Sequence, residues 1–317
     1  MAAAQTVGCS LRLLTVLFLA ALAARGADYF VTIAGLGGLP EYDKQFSDWA
    51  AQLDRQFREN GPAAHVMTLS GSAATKREIQ RAFEQLAAEI QTGDSFSLLL
   101  IGHGTFDGTD YKMNLPGPDI TAAELAALLN RIRAERQLVV NMTSCSGASL
   151  SALARKNRIV IVATKSGNEK NATVFPRYWI DALRDPAADT DKSGSVSALE
   201  AFEYTEHKTA AYFESQKLLA TEHPLFTDTG TADAVRDPKP ENGQGLLAGS
   251  FLVLHPEADE SKTVAPGKQK LIARKEDLEA KIDRLKYEKA AIPPDEYKQQ
   301  LTALLLELAR TQAEIDQ

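Results

Sequence analysis

The chain has 317 residues, 44% of them hydrophobic and 24% charged, with a formal net charge of −7. That balance supports a large hydrophobic core and excludes a disordered or fibrous chain. The excess of acid and the lack of a polybasic stripe exclude nucleic acid as a partner.

Residues 11–24, "LRLLTVLFLAALAA", set Arg12 ahead of an apolar run that ends in small residues. This is the layout of a secretory signal peptide over residues 1–26, cleaved after Ala23 or Gly26. The run is shorter than the roughly 20 apolar residues of a membrane span. An uncleaved anchor is the alternative, and it would be the protein's membrane contact. The expected location is secreted or periplasmic. Cleavage would remove Cys9 and leave Cys145 alone. A single cysteine forms no intramolecular disulfide, so Cys145 is an intermolecular partner, a reactive thiol or a small buried hydrophobe.

Strand and helix patterns then alternate. "DYFVTIAG" (28–35) predicts a strand, and 41–60 a helix with Phe46, Trp49, Leu53 and Phe57 at helical spacing. "HVMTLS" (65–70) predicts a second strand. Thr75 and Glu78 fit a capping box ahead of Ile79, Phe83, Leu86 and Ile90. "SFSLLLIGHG" (95–104) is the third strand, and Thr121 with Glu124 opens another helix. "QLVVNMTSC" (137–145) is a strand, 147–157 a helix and "RIVIVAT" (158–164) a strand. Near-continuous apolar strands alternating with helices predict a mostly parallel sheet covered on both faces, a three-layer α/β sandwich. Residues 247–255 predict an edge strand.

The main domain is expected over 27–255, with a linker at 256–267. Residues 268–317 carry Leu271, Leu278, Ile282 and Leu285, then Tyr297, Leu301, Leu304, Leu308, Thr311 and Ile315. That spacing predicts a helical hairpin with a coiled-coil-like seam, suited to packing, to homo-oligomers or to another partner.

Working groups in open α/β sheets gather beyond the carboxyl ends of the strands. There the sequence places Gly35 to Gly38, His103-Gly104, and Cys145-Ser146-Gly147. The first cluster fails the dinucleotide fingerprint, because Pro40 stands where its third glycine is required. His103 and Cys145 each end an apolar strand, and the two strands are consecutive. An imidazole beside a thiol can take its proton and make it a nucleophile. The N–H groups of Gly104 and Cys145 are candidates to hold an oxyanion.

"SLLLIGHG" followed by "VVNMTSCSG", with Cys145 42 positions after His103, resembles the His-Gly and Cys blocks of the caspase–legumain superfamily of cysteine peptidases. "IVIVATKSGNEKNAT" resembles the legumain-type strand after the cysteine. The resemblance spans roughly residues 28–185. It implies a caspase-like fold and a Cys–His endopeptidase that uses no cofactor for catalysis. Cys145 would form an acyl-enzyme, and His103 would protonate the leaving amine and then activate water. Gly104 and Cys145 would form the oxyanion hole. The chain departs from legumains in three places. Gly37 stands about where an asparagine orients the histidine, Asp43 replaces a basic residue, and Thr143 replaces an acidic one. No substrate side chain is therefore assigned, and no substrate-binding residue; Lys165, Asn168 and Glu169 are either a pocket wall or a solvated loop.

Residues 189–200, "DTDKSGSVSALE", fit the 12-residue loop of an EF-hand. Asp189, Asp191, Ser193, the Ser195 carbonyl, Ser197 and Glu200 would ligate Ca2+ as a structural clamp. Gly194 permits the bend, and Val196 is the apolar plug. An acidic turn at a helix N-cap is the alternative. Three functions are compatible with these residues: a calcium-stabilised exported cysteine endopeptidase, a caspase-like fold without turnover that binds peptides or proteins of the cell envelope, or a calcium-dependent envelope protein with an inert thiol.

Overall fold

The structure, a computed structural model, describes residues 26–60, 64–254, 266–287, 289 and 292–315. The expected signal segment before residue 26, residue 255 and most of the expected linker (256–265) lie outside the described residues.

The chain opens with β1 (Asp28–Ala34), α1 (Pro40–Glu59), β2 (Ala64–Ser70), α2 (Lys76–Glu89) and β3 (Ser95–Ile101). There follow β4 (Gly104–Phe106), β5 (Tyr111–Met113), β6 (Ile120–Thr121), α3 (Ala122–Leu129) and β7 (Arg136–Asn141). Next come α4 (Leu150–Leu153), β8 (Arg158–Val162), α5 (Phe175–Ala182), β9 (Val196–Ser197) and α6 (Ala198–Ser215). The last elements are β10 (Leu225–Thr227), α7 (Leu246–Gly249), β11 (Leu252–Leu254), α8 (Pro266–Tyr287) and α9 (Pro294–Ile315).

The main sheet has six strands in the order β10-β8-β7-β3-β1-β2. All pairings are parallel except the antiparallel edge strand β10. Side chains alternate between faces, as strand geometry requires. Phe30, Leu99, Val140 and Ile161 pack against Phe46 and Phe57 of α1, Trp179 of α5 and Phe202 of α6. Val31, Leu98, Val139 and Val160 pack on the other face against Phe83 of α2, Leu125 of α3 and Leu153 of α4. A helical layer on each face makes the three-layer α/β sandwich.

Helix starts follow local chemistry. Pro40 sits in the first turn of α1, where its missing N–H costs nothing. Thr121 and Glu124 form the full capping box of α3. At α2 only half of the expected box forms: Thr75 accepts from the Glu78 N–H, while the Glu78 carboxylate turns to Arg81 at 3.2 Å.

Several expectations need correction. The strand expected over 95–104 stops at Ile101, and Gly104 opens a separate antiparallel sheet, β4-β5-β6. The helix expected over 147–157 is a 3-10 turn at Ser146–Ser149 plus the four-residue α4. An Arg155–Arg158 bridge and the left-handed Asn157 turn the chain into β8 early. Of the edge strand expected over 247–255, the described residues 247–254 do not join the main sheet; α7 fills part of that stretch, and β11 pairs with β9.

The hairpin forms from α8 and α9, with Leu278, Ile282, Leu285 and Thr311 buried. Helix α8 begins at Pro266, inside the expected linker. No helix among the described residues is long and apolar enough to cross a membrane.

Candidate active site and metal loop

Strand β1 lies between β2 and β3, so the winding of the sheet reverses there. The crevice beyond the carboxyl ends of β1 and β3 is the switch point at which such sheets bind ligands. The registers Ala34↔Ile101, Leu100↔Asn141 and Asn141↔Val162 bring the four following loops to one rim. Gly35, His103, Cys145 and Thr164 lie on these loops.

His103 follows Gly102, whose φ of 147° lies in the region that favours glycine and strains any other residue. The imidazole stands edge-on to Tyr42 (4.9 Å between centroids) and Phe46 (5.2 Å), both from α1. Burial lowers its pKa; a hydrogen bond to the Gly37 carbonyl and the charge of Asp43 oppose that shift. Gly37 is itself tied down, its N–H donating to Asp43 Oδ1 at 2.7 Å. The Gly37 backbone thus faces the ring.

Cys145 has φ 57°, in the left-handed region that costs an ordinary residue about 1–2 kcal/mol. Buried polar groups hold it there. Tyr111 Oη bonds Thr143 Oγ1 at 2.6 Å and donates to Asn141 Oδ1 at 3.2 Å. Asn141 Nδ2 donates to Ser149 Oγ at 3.1 Å, and the Gly147 N–H donates to Thr164 Oγ1 at 3.0 Å. Cys145 is 1% exposed. Burial pushes the thiol pKa up, while Lys170 and the Phe106 N–H oppose it more weakly. Only a 3-10 turn follows the cysteine, so the expected helix N-terminus supplies no long dipole to the sulfur.

Both predicted oxyanion donors are engaged. The Gly104 N–H donates to Ser144 Oγ at 3.1 Å, and the Ser144 hydroxyl donates back to the Gly104 carbonyl at 3.1 Å. The Cys145 N–H donates to the Glu169 carbonyl at 2.8 Å. His103 and Cys145 therefore share a rim but keep separate partners: Gly37, Tyr42 and Phe46 for the ring, Phe106 and Lys170 for the thiol.

Below this rim, the 189–200 loop gathers one carboxylate oxygen each from Asp189, Asp191 and Glu200 within 4.8 Å of one another. These hard oxygen donors could hold a metal ion. Backbone N–H groups already order them. Ser193 and Gly194 donate to Asp189, and Thr190 donates to Glu200 Oε1, each at 3.0 Å. Ser193 Oγ donates to the Ser195 carbonyl at 3.3 Å. Ser197 is committed to a capping box with Glu200 at the start of α6. Val196 is buried as expected, on β9 paired with β11. A cavity of about 240 Å3 opens beside the loop, lined by Asp191, Glu200 and Glu203 and, from α8, by Arg284 and Lys286.

Sequence reasoning missed Tyr111, Glu222 and His223 near the cysteine. Tyr111 sits in a three-residue strand, too short to show a period. Glu222 and His223 reach the rim from more than forty residues away, and no local spacing signals such a contact. No protein-family model matches the chain, and no curated protein matches it.

Proposed function

We propose that the protein is an exported cysteine endopeptidase with a caspase-like fold, using Cys145 and His103 and stabilised by Ca2+ in an EF-hand-like loop. The observation that carries this reading is the placement of His103 and Cys145 beyond the ends of the adjacent parallel strands β3 and β7. The lowered pKa of His103 keeps the ring unprotonated near neutral pH, ready to accept a proton. The thiol proton passes to the imidazole as sulfur attacks the scissile carbonyl carbon. The imidazolium then protonates the leaving amine as the C–N bond breaks. Water, deprotonated by the same ring, attacks the thioester, and the thiol regains its proton as the acid leaves. The Gly37 carbonyl orients the ring through these steps. The N–H groups of Cys145 and Gly104 serve the oxyanion once their present acceptors give way.

Asp189, Asp191 and Glu200 would hold the calcium ion, with Ser193, Ser195 and Ser197 completing the loop. The ion would brace the start of α6 and take no part in the chemistry.

The test is cleavage of a peptide library by the full chain in calcium, beside Cys145→Ala and His103→Ala. Cleavage by the parent and loss in both variants supports the reading; no cleavage, or cleavage that survives Cys145→Ala, removes it. The buried thiol and the engaged N–H groups favour one second reading, a caspase-like fold that binds peptides or envelope proteins without turnover. Saturable peptide binding with no cleavage would select it.

A further inference from the structure

The loop after β8 does more than border the rim. Its backbone at Lys165 and Ser166 lies against Gly147, leaving no space for a Cβ there. Gly167 lies equally close to the ring of Phe106, the residue whose N–H faces the thiol. The Glu169 carbonyl occupies the Cys145 N–H. The segment is then fastened to one dipeptide, Glu222-His223, just ahead of the neighbouring edge strand β10. The Glu169 carboxylate is hydrogen-bonded to the His223 ring and accepts from the His223 N–H at 3.3 Å. The same carboxylate accepts the Lys165 N–H at 2.8 Å, closing the loop on itself. Glu222 accepts the N–H groups of Val174 and Phe175, each at 2.8 Å, and so pins the downstream end.

We infer that residues 164–170 are an autoinhibitory strap over Cys145, latched by His223 on the Glu169 carboxylate. The strap covers the thiol and fills the hydrogen bond that an oxyanion would need. Opening the Glu169–His223 contact frees both together. The regulatory meaning of this device rests on the peptidase reading, but the covering of the thiol does not.

The experiment measures alkylation of Cys145 by iodoacetamide in the full chain, native and unfolded, followed by mass. The native parent is expected to react at least roughly a hundredfold more slowly than the unfolded chain, because reaction waits on local opening. His223→Ala is expected to react about tenfold faster than the native parent, since a charge-assisted hydrogen bond has been lost. Glu169→Gln, which keeps the loop backbone and weakens the same bond, is expected to fall between. Amide exchange guards against simple unfolding: in His223→Ala the Cys145 amide loses protection while β3 and β7 keep theirs. Equal alkylation rates in parent and variants overturn the strap, as does a Cys145 amide that exchanges freely in the parent. Freed thiol without peptide cleavage would keep the strap and remove the peptidase; cleavage with unchanged thiol access would do the reverse.

Discussion

The rim around Cys145 and the loop at 189–200 are both built from polar groups, yet they are assembled differently. The loop draws its carboxylates from a dozen consecutive residues, and its geometry is mostly local. The rim draws on Gly37, His103, Tyr111, Cys145, Glu169 and His223, brought together only by the sheet. A local site can be ordered before its ligand arrives, because backbone N–H groups already point at its carboxylates. A non-local site depends on every strand end being in place, and its unused donors find protein partners instead. That is why the Cys145 and Gly104 N–H groups are occupied here.

This contrast can be broken by mutation. The largest effect is expected at the rim. Asn141→Leu strands Tyr111, Thr143 and Ser149 without their shared partner and should cost about 3 kcal/mol in denaturant unfolding. A loss near zero would mean that the network does not hold the turn. Next comes the loop. Calcium at a hundred times its dissociation constant should add about 2.7 kcal/mol, or roughly 5–10 °C in melting temperature. Glu200→Gln should abolish that gain while keeping an acceptor for the α6 N-terminus. Identical melts in chelator and calcium would remove the clamp. A smaller effect separates backbone strain from packing: Cys145→Gly should be about 1 kcal/mol more stable than Cys145→Ala, because only glycine adopts φ 57° freely. The reverse order would show that the left-handed turn stores no strain.

The smallest effect is a slope. Burial raises the Glu222 pKa to about 8, far above its ordinary value. The folded chain then binds a proton that the unfolded chain releases. Its stabilising contribution is full below the unfolded carboxyl pKa and is lost as pH rises toward about 8. Glu222→Gln should flatten that fall between mildly acidic and mildly alkaline pH. An unchanged slope would place the titration elsewhere.

Much of the fold was legible because buried parallel strands advertise themselves as apolar runs: "SLLLI" and "IVIVA" lie on interior strands with a helical layer on each face, as expected. The acidic cluster of Asp189, Asp191 and Glu200 was legible because its residues lie within one short stretch. His103 and Cys145 stood out because each polar group ends such an apolar run. Strand β10 was hidden, since three residues before a polar loop carry no period. The small β4-β5-β6 sheet was hidden for the same reason. What the glycines do was half visible. Their number at 35–38 announced a tight turn, but the use of the Gly37 carbonyl as a ring partner depends on α1 bringing Asp43 back to its N–H. The occupied N–H of Cys145 was invisible, because Glu169 lies beyond an intervening strand.

The most direct test of the Cys145–His103 pairing is the pH–rate profile of Cys145 alkylation in the parent chain and in His103→Ala. With the ring acting on the thiol, the variant should react about tenfold more slowly near neutral pH and its profile should move to higher pH. Superimposable profiles would mean that the imidazole never takes the thiol proton, and the pairing would be refuted.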